Sequence, residues 1–243
     1  VIFVHGVLGD HSVWILQSRY LAHHGWNVLA VDLPGHCRSA GPPCQTVEDA
    51  AAFVLALMDA AGLEQAVLVG HSLGSLIALE AAAQAPERVH QLVLVGTAAP
   101  MKVAPALLEA ALKEPMKALH MVNVFSRATL APPPSSLGPG TWVFGASMAL
   151  GRRVLASNTQ VNLFHSGFLA CDRYTRAEAA MALVECPVLF VLGQQDQMTP
   201  PKAAQGLIQA VRQAQVSTLS LGHNQMSETP EALLKALVDF LHP

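Results

Sequence analysis

The segment Val67–Ser75 constrains the fold more than any other part of the chain, because it joins an apolar run to a helical pattern through Gly-x-Ser-x-Gly. The apolar run before Gly70 predicts a buried strand, and the alanine-rich stretch after Ser75 predicts a helix. A sharp strand-to-helix turn brings two backbones close together, so Gly70 and Gly74 fit on either side of its apex. The pattern therefore predicts a strand, a tight turn that exposes Ser72, and a helix.

Ser72 is a candidate nucleophile because of where this turn places it. At the start of a helix, free N–H groups and the helix dipole favour developing negative charge. A serine oxygen in that position can attack a carbonyl, and the N–H of Leu73 can hold the resulting oxyanion. A serine after a strand is also a common helix N-cap. The choice between the two depends on partners, since neutral serine needs a base and the base needs an orienting group.

Two further strand patterns end in side chains that can serve as these partners. The apolar run Pro187–Gly193 is followed by Asp196, and the run Val216–Leu221 is followed by His223. Open parallel sheets place their functional groups at the carboxyl ends of the strands. We therefore expect Ser72, Asp196 and His223 to meet at one edge of the sheet.

These segments together resemble the α/β-hydrolase superfamily, and the resemblance covers nearly the whole chain. Phe3–Gly9 is similar to the family's first core strand and oxyanion loop. Asp32–Ser39 is similar to the loop after the next strand, where many relatives have a glycine at the position of Cys37. The resemblance implies an oxyanion hole formed by the backbone N–H groups of Val7 and Leu73.

The family's chain order also implies the catalytic roles, with Ser72 as nucleophile, Asp196 as acid and His223 as base. Asp32 follows a strand and is a rival for the acid, but its strand lies on the far side of the nucleophile strand from His223. Asp172, in the middle of the chain, is a weaker rival. The serine argues against the dehalogenases and epoxide hydrolases of this fold, which attack through aspartate.

Alternating strand and helix patterns predict the α/β-hydrolase fold, with a mostly parallel sheet and helices on both faces. The alternation breaks over residues 100–185, which we interpret as an inserted helical cap; residues 1–99 and 186–243 form the core. The alternative is a second structural helical layer with no role in binding. Met and Phe side chains of the cap offer an adaptable apolar wall. The candidates for substrate binding are Met116, Met121, Phe125, Phe144 and Phe168.

Composition excludes several other function classes. A net charge of −3 with no basic block argues against nucleic acid as a partner. No apolar run reaches the roughly 18 residues that span a bilayer. The four cysteines and the histidines show no metal-ligand spacing, so we expect no metal and no cofactor. We expect free thiols and a cytoplasmic protein.

The chain begins within a core strand and without Met, whereas relatives usually carry an antiparallel hairpin before this point. We therefore expect a trimmed or fragmentary sequence, from which a targeting segment can also have been lost.

The triad and the apolar cap predict a serine hydrolase that cleaves small to medium acyl esters. C–C bond hydrolase, lactonase, thioesterase and cofactor-free haloperoxidase remain open within the same fold. A non-catalytic ligand receptor remains open as a different class. The expected partner is a small-molecule acyl substrate, and the sequence leaves a homodimer open.

Overall fold

The computed structural model describes residues 1–129 and 142–241, which are organised around one six-stranded sheet. The strands are β1 (Ile2–Val4), β2 (Leu29–Ala30), β3 (Ala66–His71), β4 (Val89–Val95), β5 (Val188–Gly193) and β6 (Ala214–Leu219). Their order across the sheet is β2-β1-β3-β4-β5-β6, and every neighbouring pair is parallel. All carboxyl ends therefore lie at the same edge.

The central strands are buried on both faces, which explains their continuous apolar runs. Every residue of β1, β3 and β5 is buried. The register pairs Phe3 with Val69 and Val69 with Val93, so side chains from neighbouring strands form continuous layers. The two faces of the sheet carry separate apolar clusters, one packed around Ile77 and one around Trp14.

Helices cover both of these faces, as the alternating pattern predicted. They are α1 (Ile15–His23), α2 (Val47–Ala60), α3 (Leu73–Gln84), α9 (Gln205–Ala210), α10 (Gln225–Glu228) and α11 (Pro230–Phe240). Short 3-10 turns cover His11–Trp14, Pro86–Arg88 and Pro201–Ala204. Helix α2 begins after Thr46, whose hydroxyl caps it by accepting the Asp49 N–H at 3.1 Å.

A helical region separates β4 from β5. It contains α4 (Pro105–Lys113), α5 (Pro115–Phe125), α6 (Val143–Ser157), α7 (Leu163–Arg173) and α8 (Ala177–Met181). Residues from α4 to α7 share an apolar cluster with Leu8, which lies in the loop after the carboxyl end of β1. The region therefore packs onto the strand edge where the candidate site lies. In the described residues no helix has the length and apolar character needed to cross a bilayer.

Candidate active site

The turn between β3 and α3 holds Ser72 in a conformation that few non-glycine residues adopt. Its backbone has φ 53° and ψ −120°, and such backbone strain is typical of functional turns. A Cβ on Gly70 would overlap the carbonyl of Gly74, and a Cβ on Gly74 would overlap the carbonyl of Val4. The two glycines are therefore needed for the close approach of β1, β3 and α3 around Ser72.

Free backbone N–H groups flank this serine. A Cβ added to Gly6 would lie 3.1 Å from the Cβ of Ser72, so the loop after β1 runs directly against the turn. Neither the Val7 N–H nor the Leu73 N–H donates a hydrogen bond to any residue of 1–129 or 142–241. Both donors are consequently available to a ligand at Ser72.

The loop after β1 is held in place by a neutral histidine. His5 Nδ1 lies 2.8 Å from the carbonyl oxygen of Gly6, and the Leu33 N–H donates to His5 Nε2 at 3.2 Å. Burial, reinforced by the neighbouring His36, lowers the pKa of His5 to about 4. A neutral ring that donates through Nδ1 and accepts through Nε2 satisfies both contacts.

Asp196 and His223 form a close pair at the ends of β5 and β6. His223 Nδ1 lies 2.8 Å from Asp196 Oδ2. The same carboxylate accepts the Met198 and Thr199 N–H groups at 2.8 Å each and the Thr199 hydroxyl at 2.7 Å. Burial alone would raise the pKa of Asp196, but the charge of His223 and these hydrogen bonds hold it below its ordinary value. An ionised Asp196 thus orients the His223 ring through Nδ1.

His223 and Ser72 line the same cavity. This cavity has a volume of about 100 Å³ and is walled by residues of α5, α6 and α7, among them Leu119, Leu150 and Phe168. The described residues form no hydrogen bond to Ser72 Oγ or to His223 Nε2.

A second cavity of about 200 Å³ meets the same two side chains from another side. Its wall includes Met101, Leu107 and Cys171. Phe168 and Met198 line both cavities, so they lie at the boundary between them. Ser72 is consequently in contact with both cavities.

Of the five predicted binding residues, the structure places only Phe168 in these walls. Met116 is 42% exposed and Phe125 is 49% exposed. Met121 and Phe144 are partly buried but line neither cavity. These four side chains are absent from the walls of both cavities, and their role in substrate binding stays a prediction.

Helical geometry explains the difference. The face of α5 turned to the cavity carries Leu119, Val122 and Asn123, which are three and four positions apart. Met121 and Phe125 are four apart on a different face of the same helix. The five predicted residues lie on helices that do line the cavity, but the sequence has no signal for which face of each helix is turned to it.

The rival acids have other partners. Asp32 accepts the His11 N–H at 2.7 Å and lies 2.8 Å from His11 Nδ1. Asp172 accepts the Val103 N–H at 3.1 Å. Neither carboxylate forms a hydrogen bond with His223, so within the described residues Asp196 is the acid that reaches it.

One group of side chains has the proximity that a metal ion requires. Ligand atoms of Asp10, His11 and Asp32 lie within 4.8 Å of one another, a juxtaposition the sequence spacing did not indicate. Asp10 is already paired with Arg153 at 2.5 Å and with the Ser12 N–H at 2.9 Å. None of the three lines the cavities at Ser72. The hydrogen bonds present account for this group without a cation.

Comparison with known proteins places this geometry in context. The chain matches the model of the alpha/beta hydrolase fold family over residues 1–230. Protein ABHD8 of Bos taurus is 27% identical over 98% of this chain and 55% of its own length. The matched segments span between 25% and 55% of the length of such curated relatives.

Solved structures align over nearly the whole chain. A hydrolase from Pseudomonas aeruginosa PA01 is 26% identical with a TM-score of 0.80, and the alignment covers 100% of this chain and 89% of that one. The enol-lactonase from Burkholderia xenovorans LB400 is 25% identical with a TM-score of 0.81, covering 99% of this chain and 90% of that one.

Proposed function

The chain belongs to the α/β-hydrolase family, and we propose that it is a serine hydrolase that cleaves small to medium acyl esters. One observation supports this most directly. Ser72 occupies a strained turn at the rim of a cavity that it shares with His223, whose Nδ1 lies 2.8 Å from the Asp196 carboxylate. A nucleophile, a base and an orienting acid of this kind perform acyl transfer without a metal.

The reaction proceeds in two steps. His223 Nε2 takes the Ser72 hydroxyl proton as Ser72 Oγ bonds to the ester carbonyl carbon, and the oxyanion forms between the Val7 and Leu73 N–H groups. Collapse expels the alcohol, which takes the proton from His223 and leaves an acyl-Ser72 ester. Water, deprotonated by His223, then releases the acid and restores Ser72. Each N–H donor contributes about 3 kcal/mol to lowering the barrier.

We further propose that residues 100–185 act as a cap that sets the acyl-chain preference. Helices α5, α6 and α7 supply about half of the apolar side chains that line the 100 Å³ cavity. An apolar protein cavity of about 150 Å³ admits benzene, so this smaller one suits acyl chains of about four carbons. The larger cavity of about 200 Å³ is then left for the alcohol portion.

Lactone hydrolysis is a second candidate, supported by the likeness to an enol-lactonase. A lactone is a cyclic ester, so Ser72 attacks it in the same way. The expelled alcohol stays attached to the acyl group, and the two cavities that meet at Ser72 hold the two ends of the opened chain.

A side-by-side panel of substrates tests the proposal. Turnover of p-nitrophenyl acetate and butyrate, a five-membered lactone, an acyl thioester and a vinylogous diketone is measured for the wild type and for Ser72→Ala. Serine-dependent hydrolysis that is fastest for the short esters supports the proposal. Faster turnover of the diketone, the thioester or the lactone assigns that chemistry instead. Binding of an ester without turnover would identify a receptor and contradict the proposal.

A further inference from the structure

A buried carboxylate contacts the backbone of residues 222–224, the His223 loop. Glu228, at the end of α10, is 8% exposed. Its Oε2 accepts the Ala128 N–H at 2.8 Å and the Gly222 N–H at 3.2 Å, and its Oε1 accepts the Asn224 N–H at 3.1 Å. Two of these donors belong to the residues on either side of His223. The third belongs to the segment that follows α5.

The same two segments are joined by a second set of hydrogen bonds. The carbonyl oxygen of Ser126 accepts the His223 N–H at 2.7 Å and the Asn224 N–H at 3.1 Å. The Asn224 side-chain amide donates to the Ser126 hydroxyl at 2.8 Å. A Cβ on Gly222 would lie 2.6 Å from the Ala128 nitrogen, so only glycine allows this approach. Residues 126–128 and 222–224 therefore form one hydrogen-bonded unit.

In this unit the hydrogen-bond partners of the Glu228 carboxylate are backbone N–H groups. No Lys, Arg or His side chain of the described ranges lies within salt-bridge distance of Glu228. Arg127 is also buried, and its guanidinium donates instead to Ser147 at 2.5 Å and Ser227 at 3.2 Å. Carboxylates buried in this way are satisfied by N–H donors, and each such charge-assisted bond is stronger than a neutral one.

The unit links the base to the wall of the smaller cavity. Helix α5 ends at Phe125 and presents Leu119 and Asn123 to that cavity, and Ser126 also lines it. Glu228 lines neither cavity at Ser72. Its effect on a bound ligand therefore passes through the segments that it holds, which are the His223 loop and residues 126–128.

We infer that Glu228 is a positioning residue that fixes the His223 loop against the end of α5 and so aims the imidazole at Ser72. The inference builds on the proposed function of His223 as the base. Gln at this position keeps the shape of the side chain, but its NH₂ group cannot accept a backbone N–H. Glu228→Gln thus breaks part of the unit without leaving a cavity.

The first readout is kinetic. The kcat and KM for p-nitrophenyl butyrate are measured for the wild type, for Glu228→Gln, and for the matched control Glu231→Gln, whose side chain is exposed in the first turn of α11. Loss of one charge-assisted hydrogen bond to the loop lowers kcat about 10-fold or more, with KM nearly constant. The control retains the wild-type kcat.

The same substitution in a His223→Ala background separates positioning from general damage. If Glu228 acts through His223, adding Glu228→Gln to the His223→Ala variant does not lower kcat further, because the imidazole that Glu228 orients is absent. An equal fold-loss in both backgrounds, or an unchanged kcat in the single variant, would overturn the inference.

The second readout is independent of catalysis. Hydrogen–deuterium exchange of the amides in 126–128 and 222–224 should speed up in Glu228→Gln and stay at the wild-type rate in Glu231→Gln. Unchanged exchange would overturn the inference even if no ester is hydrolysed. If instead the proposed function is wrong, the wild-type protein shows no Ser72-dependent turnover of the ester. If Glu228→Gln does not fold, Glu228→Asp, which keeps the charge on a shorter side chain, replaces it with the same expected direction of change.

Discussion

Truncation of Phe168 should lengthen the acyl chain that the protein prefers. Phe168 is 6% exposed on α7, contacts Phe164 with ring centroids 4.9 Å apart, and lies at the boundary of both cavities. Phe168→Ala opens the 100 Å³ cavity toward the 200 Å³ one. If two further methylenes of an octanoyl chain become buried, at about 0.8 kcal/mol each, the octanoate-to-butyrate ratio of kcat/KM rises about 15-fold.

The assay measures kcat/KM for p-nitrophenyl acetate, butyrate, octanoate and palmitate. Phe125→Ala is the matched control, because Phe125 is 49% exposed and lines neither cavity. Truncating a buried Phe also costs about 3–5 kcal/mol of stability, so assays are run well below each variant's Tm. An unchanged ratio in Phe168→Ala, or an equal change in Phe125→Ala, would refute the assignment of the acyl cavity.

The other predictions concern the proposed triad and its surroundings. Asp196→Asn should lower kcat by about 10⁴-fold, as for other triads, whereas Asp32→Asn should retain His223-dependent turnover; steady-state rates of the two variants decide between the acids. The folded-state pKa of Asp196 is lowered, so the ionised carboxylate adds to the free energy of unfolding. This contribution is fully present above about pH 4. That contribution is lost as the pH falls through the folded-state pKa, so the stability gap between wild type and Asp196→Asn in urea unfolding should shrink in acid. Activity should be the same before and after EDTA treatment, and a loss that added zinc restores would identify a metal requirement.

The parts of the fold that were predictable have strong local signals. Buried parallel strands are apolar throughout, so the runs that became β3 and β5 were visible without tertiary information. Proline marks the first position of both α4 and α5, which is a local signal that the sequence contains. The turn at Ser72 was predictable because the glycines on both sides are a steric requirement.

Features that depend on tertiary contacts were not predictable. After Pro200 the chain forms a 3-10 turn and then the short α9, and it is already in β6 at Ala214. Cys37 keeps the left-handed backbone that suits the family's glycine, with φ 44°. Its N–H is fixed by the Ser157 hydroxyl at 3.0 Å, a contact 120 residues away along the chain.

Around the proposed triad, one contact has a local sequence signal and another depends on segments far apart in the chain. Asp196 and Thr199 are linked through an Asp-x-x-Thr spacing that the sequence does contain, and this local signal could have identified Thr199. The contacts of Glu228 with Ala128 join segments 100 residues apart. No periodicity or motif brings such segments together, because their proximity is set by how α5 and α10 pack at the strand edge.

Covalent labelling of Ser72 tests the central claim most directly. The wild type is treated with a fluorophosphonate, and the adduct is measured by intact mass and located by peptide mapping, with Ser72→Ala as the comparison. A strained turn beside free N–H groups and a base should give one adduct, on Ser72, and Ser72→Ala should show neither adduct nor ester turnover. An adduct on another residue, or wild-type turnover in Ser72→Ala, would contradict the account.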